Sequence, residues 1–138
     1  MKSSDRLTVV DLLDQLGYPT NPKVFQKRLK NLKSKLDLLL VAVSDKKLAG
    51  FASLHLIPLV HKNGFLARIT ALVVDQEFRR KGVGKALVRK LETYALKNSA
   101  ARLEVTSATR RKDAHHFYFE MGYQEYRKRF MKSLKTFK

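Results

Sequence analysis

The residues best arranged for chemistry lie between Val74 and Leu87. An apolar run ends at Val74, a charged turn follows, and helical spacing resumes around glycines at 82 and 84. A helix start leaves about four backbone N–H groups without partners, and its dipole favours negative charge there. Glycine at those two positions removes the β-carbons that would hold an anion away from the N–H groups. Arg79, Arg80, Lys81 and Lys85 add positive charge around the same point. The chemistry this predicts is a diphosphate cradle. Two rivals fail on spacing. A dinucleotide fingerprint needs a third small residue where Leu87 stands, and a P-loop needs a hydroxyl where Ala86 stands and a glycine where Arg79 stands. A turn that merely starts a helix is the plain alternative on these residues alone.

Other candidate groups are fewer. His116 and Glu120 are four apart and share a helical face, but no third ligand is spaced to join them. They read as surface residues, and no metal is expected. The absence of cysteine excludes a thiolate metal site, a disulfide scaffold and a cysteine nucleophile.

The elements that must position the cradle follow from periodicity. A first helix is predicted after a cap at Ser4 or Asp5, burying Leu7, Val10, Leu13 and Leu16, with Gly17 and Pro19 ending it. Asn21-Pro22 opens a second helix with Phe25, Leu29, Leu32 and Leu36 inward. Leu38 to Val43 and Ala49 to Leu59 read as strands about a turn at 44–47, with Pro58 tolerable near a strand end. Asn63-Gly64 is a hairpin signal ahead of a third strand, Phe65 to Val74. A helix follows from Gly82 to about Lys97, with Val83, Leu87, Leu91 and Tyr94 on one stripe. Arg102 to Thr106 is a strand and a helix from Lys112 ends at Gly122. Tyr123 to Tyr126 and Arg129 to Leu134 read as short terminal strands. The order ααβββαβαββ predicts a mixed α/β sheet fold in a single domain spanning 1–138.

With 138 residues the chain has the length of one domain with a true core. Apolar residues at 44% and charged residues at 30% exclude disordered and collagen-like classes. Lys+Arg 29 against Asp+Glu 12 gives +17, which favours phosphate-bearing or anionic partners and opposes polycations. No stretch approaches the roughly 18 apolar residues of a membrane span, and Asp11 and Asp14 interrupt any signal-like run. No membrane partner and a cytoplasmic location are expected.

At the cradle the sequence resembles the GNAT superfamily of N-acetyltransferases. Arg79-Arg80-Lys81-Gly82-Val83-Gly84 matches its [RQ]-x-x-G-x-[GA] signature between strand and helix. Ala114 to Tyr123 is similar to its second motif, A-x-x-[FL]-Y-x-x-x-G-[FY], and the element order agrees from Asp5 to Leu134. The resemblance implies the acyl-CoA acyltransferase fold, although its first edge strand has no room ahead of the first helix. It implies acetyl-CoA as acetyl donor, its diphosphate held by backbone amides of Arg80, Lys81, Gly82, Val83, Gly84 and Lys85, with Arg79 in the signature. Leu72, Val73 and Val74 would bond the pantetheine arm as an added strand does. Arg111 stands where asparagine often contacts the cofactor, so that contact would become a charged one.

The implied reaction is direct attack of a neutral primary amine on the thioester through a tetrahedral intermediate. A main-chain N–H near Val74 would stabilise the oxyanion, typically worth ~10²–10³ in rate. Tyr118 would protonate the departing thiolate, worth ~10²–10⁴; its plain reading is an aromatic on a core stripe with Ala114 and Met121. An alkylammonium has a pKa near ~10.4 and must lose a proton first. Thr70 stands where the family often has Glu, which leaves the base open: His55 and Glu104 are candidates, and His55 as an ordinary strand residue is the plainer reading. The Ala114-His115-His116-Phe117-Tyr118 run resembles the aminoglycoside and aminoalkylphosphonate branches. The charge favours a zwitterionic or anionic small amine, or a protein amine, over an aminoglycoside. A basic nucleic-acid-binding module and a catalytically silent acetyl-CoA sensor are the alternatives. The spread of the basic residues points away from nucleic acid, while unpaired edge strands are candidates for homodimer pairing.

Overall fold

Local punctuation sets most of the element boundaries. The computed structural model describes residues 1–33, 35–106 and 112–135, in two compact units, Met1–Thr106 and Ser107–Lys138. In the first unit, α1 (Arg6–Leu16) ends at Gly17, whose φ of +105° closes a left-handed cap, with Tyr18 N–H donating to Leu13 O. The Asn21 side chain accepts from Lys23 N–H at 2.8 Å and Pro22 fills the first position of α2 (Pro22–Leu29). That helix stops at Leu29, short of the expected run, so Leu32 and Leu36 lie beyond it. The burial phase of α1 also differs. Val9, Val10 and Leu12 are buried, while Leu7 is 68% exposed, because the stripe must face the sheet and not merely repeat at the expected spacing.

Among the described residues the sheet has four strands in the order β1 (Asp37–Ser44), β2 (Lys47–Pro58), β3 (Phe65–Val74), β4 (Ala100–Val105). The β1–β2 turn is made by Asp45 and Lys46, both at positive φ, as a two-residue hairpin requires. β2 and β3 are antiparallel, and β3 and β4 are parallel with α3 (Val83–Lys97) crossing between them. The α3 face of the sheet buries Ala52, Leu54, Leu56, Ala67 and Ile69 against Leu87, Leu91 and Ala95. The opposite face buries Phe51 and Val73 against Val9, Leu12 and Phe25 from α1 and α2. At Gly50 a β-carbon would lie 3.0 Å from both Leu87 Cδ1 and Val73 O. Its absence lets the first turns of α3 settle on β2.

In the second unit, α4 (Lys112–Glu120) ends in a glycine cap: Gly122 N–H donates to Phe119 O and Tyr123 N–H to Tyr118 O. The two terminal strands expected at 123–126 and 129–134 do not form. A strand needs a partner ladder, and this unit offers none among its described residues. Arg127, Lys128, Arg129, Lys132 and Lys135 repel one another along the same stretch, where Phe130 and Leu134 are 90% and 87% exposed.

Candidate active site

The parallel β3–β4 ladder ends at Ile69 paired with Val105, so among the described residues the last residues of β3 have β2 on one side and no strand on the other. Asp75 N–H donates to Ala49 O at 2.8 Å, which fixes the alternation. The backbone groups of Val73 turn toward β2, and those of Leu72 and Val74 turn to the open edge. Of the three residues expected to bond an extended ligand, two present their backbone and the third belongs to the sheet.

Beyond Val74 the chain makes a 3₁₀ turn at Gln76–Phe78, capped by Asp75, whose Oδ1 accepts from Glu77 N–H at 2.9 Å. Phe78 is buried and pins the turn, with Lys81 Nζ 5.6 Å from its ring centre. Arg79 Nε donates to Val74 O at 3.2 Å and ties the turn back to the strand. A second clasp was not legible in the sequence. Gln15 of α1 donates to Asp75 Oδ2 and accepts from Gln76 N–H, each at 3.2 Å.

Gly82 then adopts φ +81°, ψ 7° as the N-cap of α3, with no side-chain cap. The first bond across the start of the helix is Ala86 N–H to Gly82 O at 3.0 Å. The N–H groups of Val83, Gly84 and Lys85 precede it and belong to the orphan set of a helix start. A β-carbon at Gly82 would meet nothing within 4 Å, so the space in front of the turn is open. Arg79, Arg80, Lys81 and Lys85 are exposed around it, while Val83 and Gly84 are half-buried. A set of N–H donors with cations about them fits a diphosphate.

A second polar group lies on the α1–α2 side of the sheet. Asp37, His55, Arg68 and Glu104 stand in register across all four strands. His55 Nδ1 is 2.7 Å from Asp37 Oδ1 and His55 Nε2 is 2.5 Å from Thr70 Oγ1. Thr70 Oγ1 is also 2.7 Å from the Oγ of buried Ser53. Arg68 Nε donates to Glu104 Oε1 at 2.7 Å, so Glu104, a candidate base by sequence, is engaged in an ion pair. Burial works to raise the Asp37 carboxyl, but the Lys33 N–H, the His55 side chain and the Lys33 charge outweigh it and hold the group below the ordinary carboxylate value. Spacing alone gave no sign of this chain. The available signal was a polar residue set into each apolar strand, Asp37 between leucines and His55 between leucines.

In the second unit, the Tyr118 ring is half-buried, with centroid separations of 5.3 Å to Phe117 and 5.8 Å to Tyr123. His116 Nε2 and Glu120 Oε1 are 2.9 Å apart on an exposed face. Arg111, the expected cofactor contact, lies outside the described residues. Among the described residues no helix is long and apolar enough to cross a membrane.

The chain is similar to known proteins over most of its length. An aminoalkylphosphonate N-acetyltransferase from Salmonella typhimurium is 31% identical over 94 residues, 68% of this chain and 61% of that protein. The match thus spans less than two-thirds of that relative's length. A GNAT family acetyltransferase structure from Staphylococcus aureus superposes with a TM-score of 0.80 at 29% identity, covering 97% of this chain and 95% of that one. The fold also matches an aminoglycoside 6'-N-acetyltransferase from Acinetobacter haemolyticus, with TM-score 0.81 at 21% identity over 99% and 96% of the two chains. The model of the acetyltransferase (GNAT) family matches residues 8–123, a range that includes the strand edge at Leu72 and the turn at Gly82. The chain belongs to the GNAT family of acetyltransferases.

Proposed function

We propose that the chain is an acetyl-CoA-dependent N-acetyltransferase that moves acetyl to a primary amine by direct attack. The observation that carries this reading is the left-handed Gly82 cap, which opens α3 without a side-chain partner beside the open edge of β3. The N–H groups of Val83, Gly84 and Lys85 would hold the diphosphate, with Arg79, Arg80 and Lys81 adding charge. The backbone of Leu72 and Val74 would hold the pantetheine arm and supply the oxyanion donor. Acetyl-CoA supplies an activated thioester carbonyl. By its place in the second motif, Tyr118 would be the proton donor to sulfur.

For the acceptor, the net charge of +17 favours an amine that carries its own anion. The similarity to an aminoalkylphosphonate enzyme runs the same way. We therefore propose a small zwitterionic or anionic amine over a polycation. Isothermal titration with acetyl-CoA, followed by a thiol-release assay on aminoalkylphosphonates, amino acids, polyamines and aminoglycosides, tests both statements. Saturable binding with turnover on the anionic amines is expected. No heat at millimolar acetyl-CoA would reject the enzyme reading, and preference for polycations would reject the acceptor class.

A further inference from the structure

The central strands of a sheet are built most stably from β-branched and apolar side chains, and each polar group half-buried there costs stability unless it is bonded. This sheet nonetheless sets Asp37, His55 and Arg68 in one row, with Ser53 and Thr70 beside them on the same face. The row is not solvent decoration, since the Asp37 and His55 side chains are only 18% and 24% exposed.

The hydrogen-bond bookkeeping gives the chain a direction. An ionised Asp37 can only accept, so a neutral His55 carries its proton on Nδ1 and leaves a lone pair on Nε2. The Thr70 hydroxyl then donates to Nε2, and Ser53 Oγ–H donates to Thr70. Thr70, exposed at the end of the chain, is left with an acceptor lone pair and no spare proton. An N–H cation is the group that fits such an end.

Its place on β3 matches. The β2–β3 register passes from Ser53–Ala71 to Leu54–Ile69, so Thr70 is the extra residue of a β-bulge. Bulges re-aim side chains where a ladder ends, and the β4 ladder ends one residue earlier, at Ile69. Leu72, whose amide faces the open edge, follows two residues on, about 7 Å at the ordinary strand rise.

We propose that Thr70 and His55, oriented by Asp37, are the proton-accepting relay of the acceptor site. The inference rests on the acetyl-transfer reading above. The ammonium of the acceptor gives a proton to Thr70 Oγ1 as the Thr70 hydroxyl proton passes to His55 Nε2, and His55 returns it to solvent. The freed nitrogen lone pair forms the N–C bond as the carbonyl electron pair moves to oxygen, and collapse of that tetrahedral intermediate breaks the C–S bond, whose electron pair leaves on sulfur. The second proton lost by nitrogen balances the one that the thiolate takes up. Thr70 touches the acceptor, His55 acts through it, and Asp37 is a positioning residue. Asp37 faces His55 from β1 with Lys33 behind it, and Arg68 faces it from β3 paired to Glu104 of β4.

The test compares Thr70→Val, Thr70→Ser, His55→Gln and Asp37→Asn with wild type, with each fold checked by circular dichroism. At neutral pH, Thr70→Val and His55→Gln should lower kcat/KM roughly 100-fold, within the range for general base catalysis. Thr70→Ser should stay within a few-fold of wild type, and acetyl-CoA affinity should be unchanged in all four. The losses should shrink as pH approaches the amine's own pKa, where no base is needed. Nitrogen-detected NMR of the wild-type imidazole should show the Nδ1-protonated tautomer in neutral His55. Retained activity in Thr70→Val or His55→Gln, a Thr70→Ser as impaired as the valine variant, or the other tautomer overturns the relay. So does an acetyl adduct on Thr70 by intact mass, which would make the hydroxyl a nucleophile. Wild type that binds acetyl-CoA but acetylates no amine also overturns it. Failure to bind acetyl-CoA at all instead rejects the underlying enzyme reading, and the tautomer measurement still judges the hydrogen-bond chain.

Discussion

Replacing Gly82 by alanine separates backbone conformation from space. The position sits at φ +81°, yet an added β-carbon meets nothing within 4 Å. The substitution therefore creates no clash, and its cost is the left-handed backbone alone, about 1–2 kcal/mol. For a chain of this size that lowers Tm by roughly 4–8 °C. The β-carbon stands in the open space in front of the turn, where it would hold a diphosphate off the N–H groups, so a charge-assisted N–H bond to phosphate is lost, worth about 1.5–3 kcal/mol, or roughly 10- to 150-fold in acetyl-CoA affinity. Gly17 is the matched control. It has φ +105°, also with nothing within 4 Å, but it closes α1 and does not belong to the cradle. Gly17→Ala should lose similar Tm and keep wild-type affinity. Calorimetric melting and isothermal titration on both variants provide the assay. Equal affinity in Gly82→Ala and Gly17→Ala, with both melts lowered, would refute the reasoning that the Gly82 bend is the phosphate-binding element.

Three further outcomes follow from other contacts. Arg79→Ala removes the Nε bond to Val74 O and a nearby cation, and should weaken acetyl-CoA roughly tenfold in low salt and less in high salt, measured by titration at two ionic strengths. Gly50→Ala forces a β-carbon against a backbone carbonyl 3.0 Å away and should cost about 1–3 kcal/mol in urea unfolding, since Val73 O cannot move aside as a side-chain tip can. The Asp37 carboxyl is held below its ordinary value of about 3.9 in the folded state, so the unfolded chain takes up its proton first as pH falls. Its stabilising contribution is complete above that value and disappears as pH drops through the folded one; urea midpoints should fall less steeply below pH 4 in Asp37→Asn than in wild type.

What the sequence revealed was mostly local chemistry. Gly17, Asn21-Pro22 and Gly122 mark helix ends through caps that involve only neighbouring residues, and the structure has those caps. The strand–turn–helix at Val74 to Gly84 was equally readable, because a left-handed glycine before a helix leaves its mark within a few positions. Legibility fell where pairing at a distance decides. The exposure of Leu7 depends on which side of α1 meets Phe51 and Val73. The region after Tyr123 has strand-like residues but no ladder to join. The Asp37–His55–Thr70 chain depends on a one-residue bulge at Thr70, and no propensity in the sequence marks where a register slips.

Titrating acetyl-CoA into isotope-labelled protein and following every backbone amide by NMR tests the whole account most directly. Large saturable shifts should appear at Val83, Gly84 and Lys85 and at Leu72 and Val74, while Lys62 and Asn63, in the turn at the opposite end of β3, stay still. Saturation with the largest shifts elsewhere, and silence at the start of α3, would contradict it.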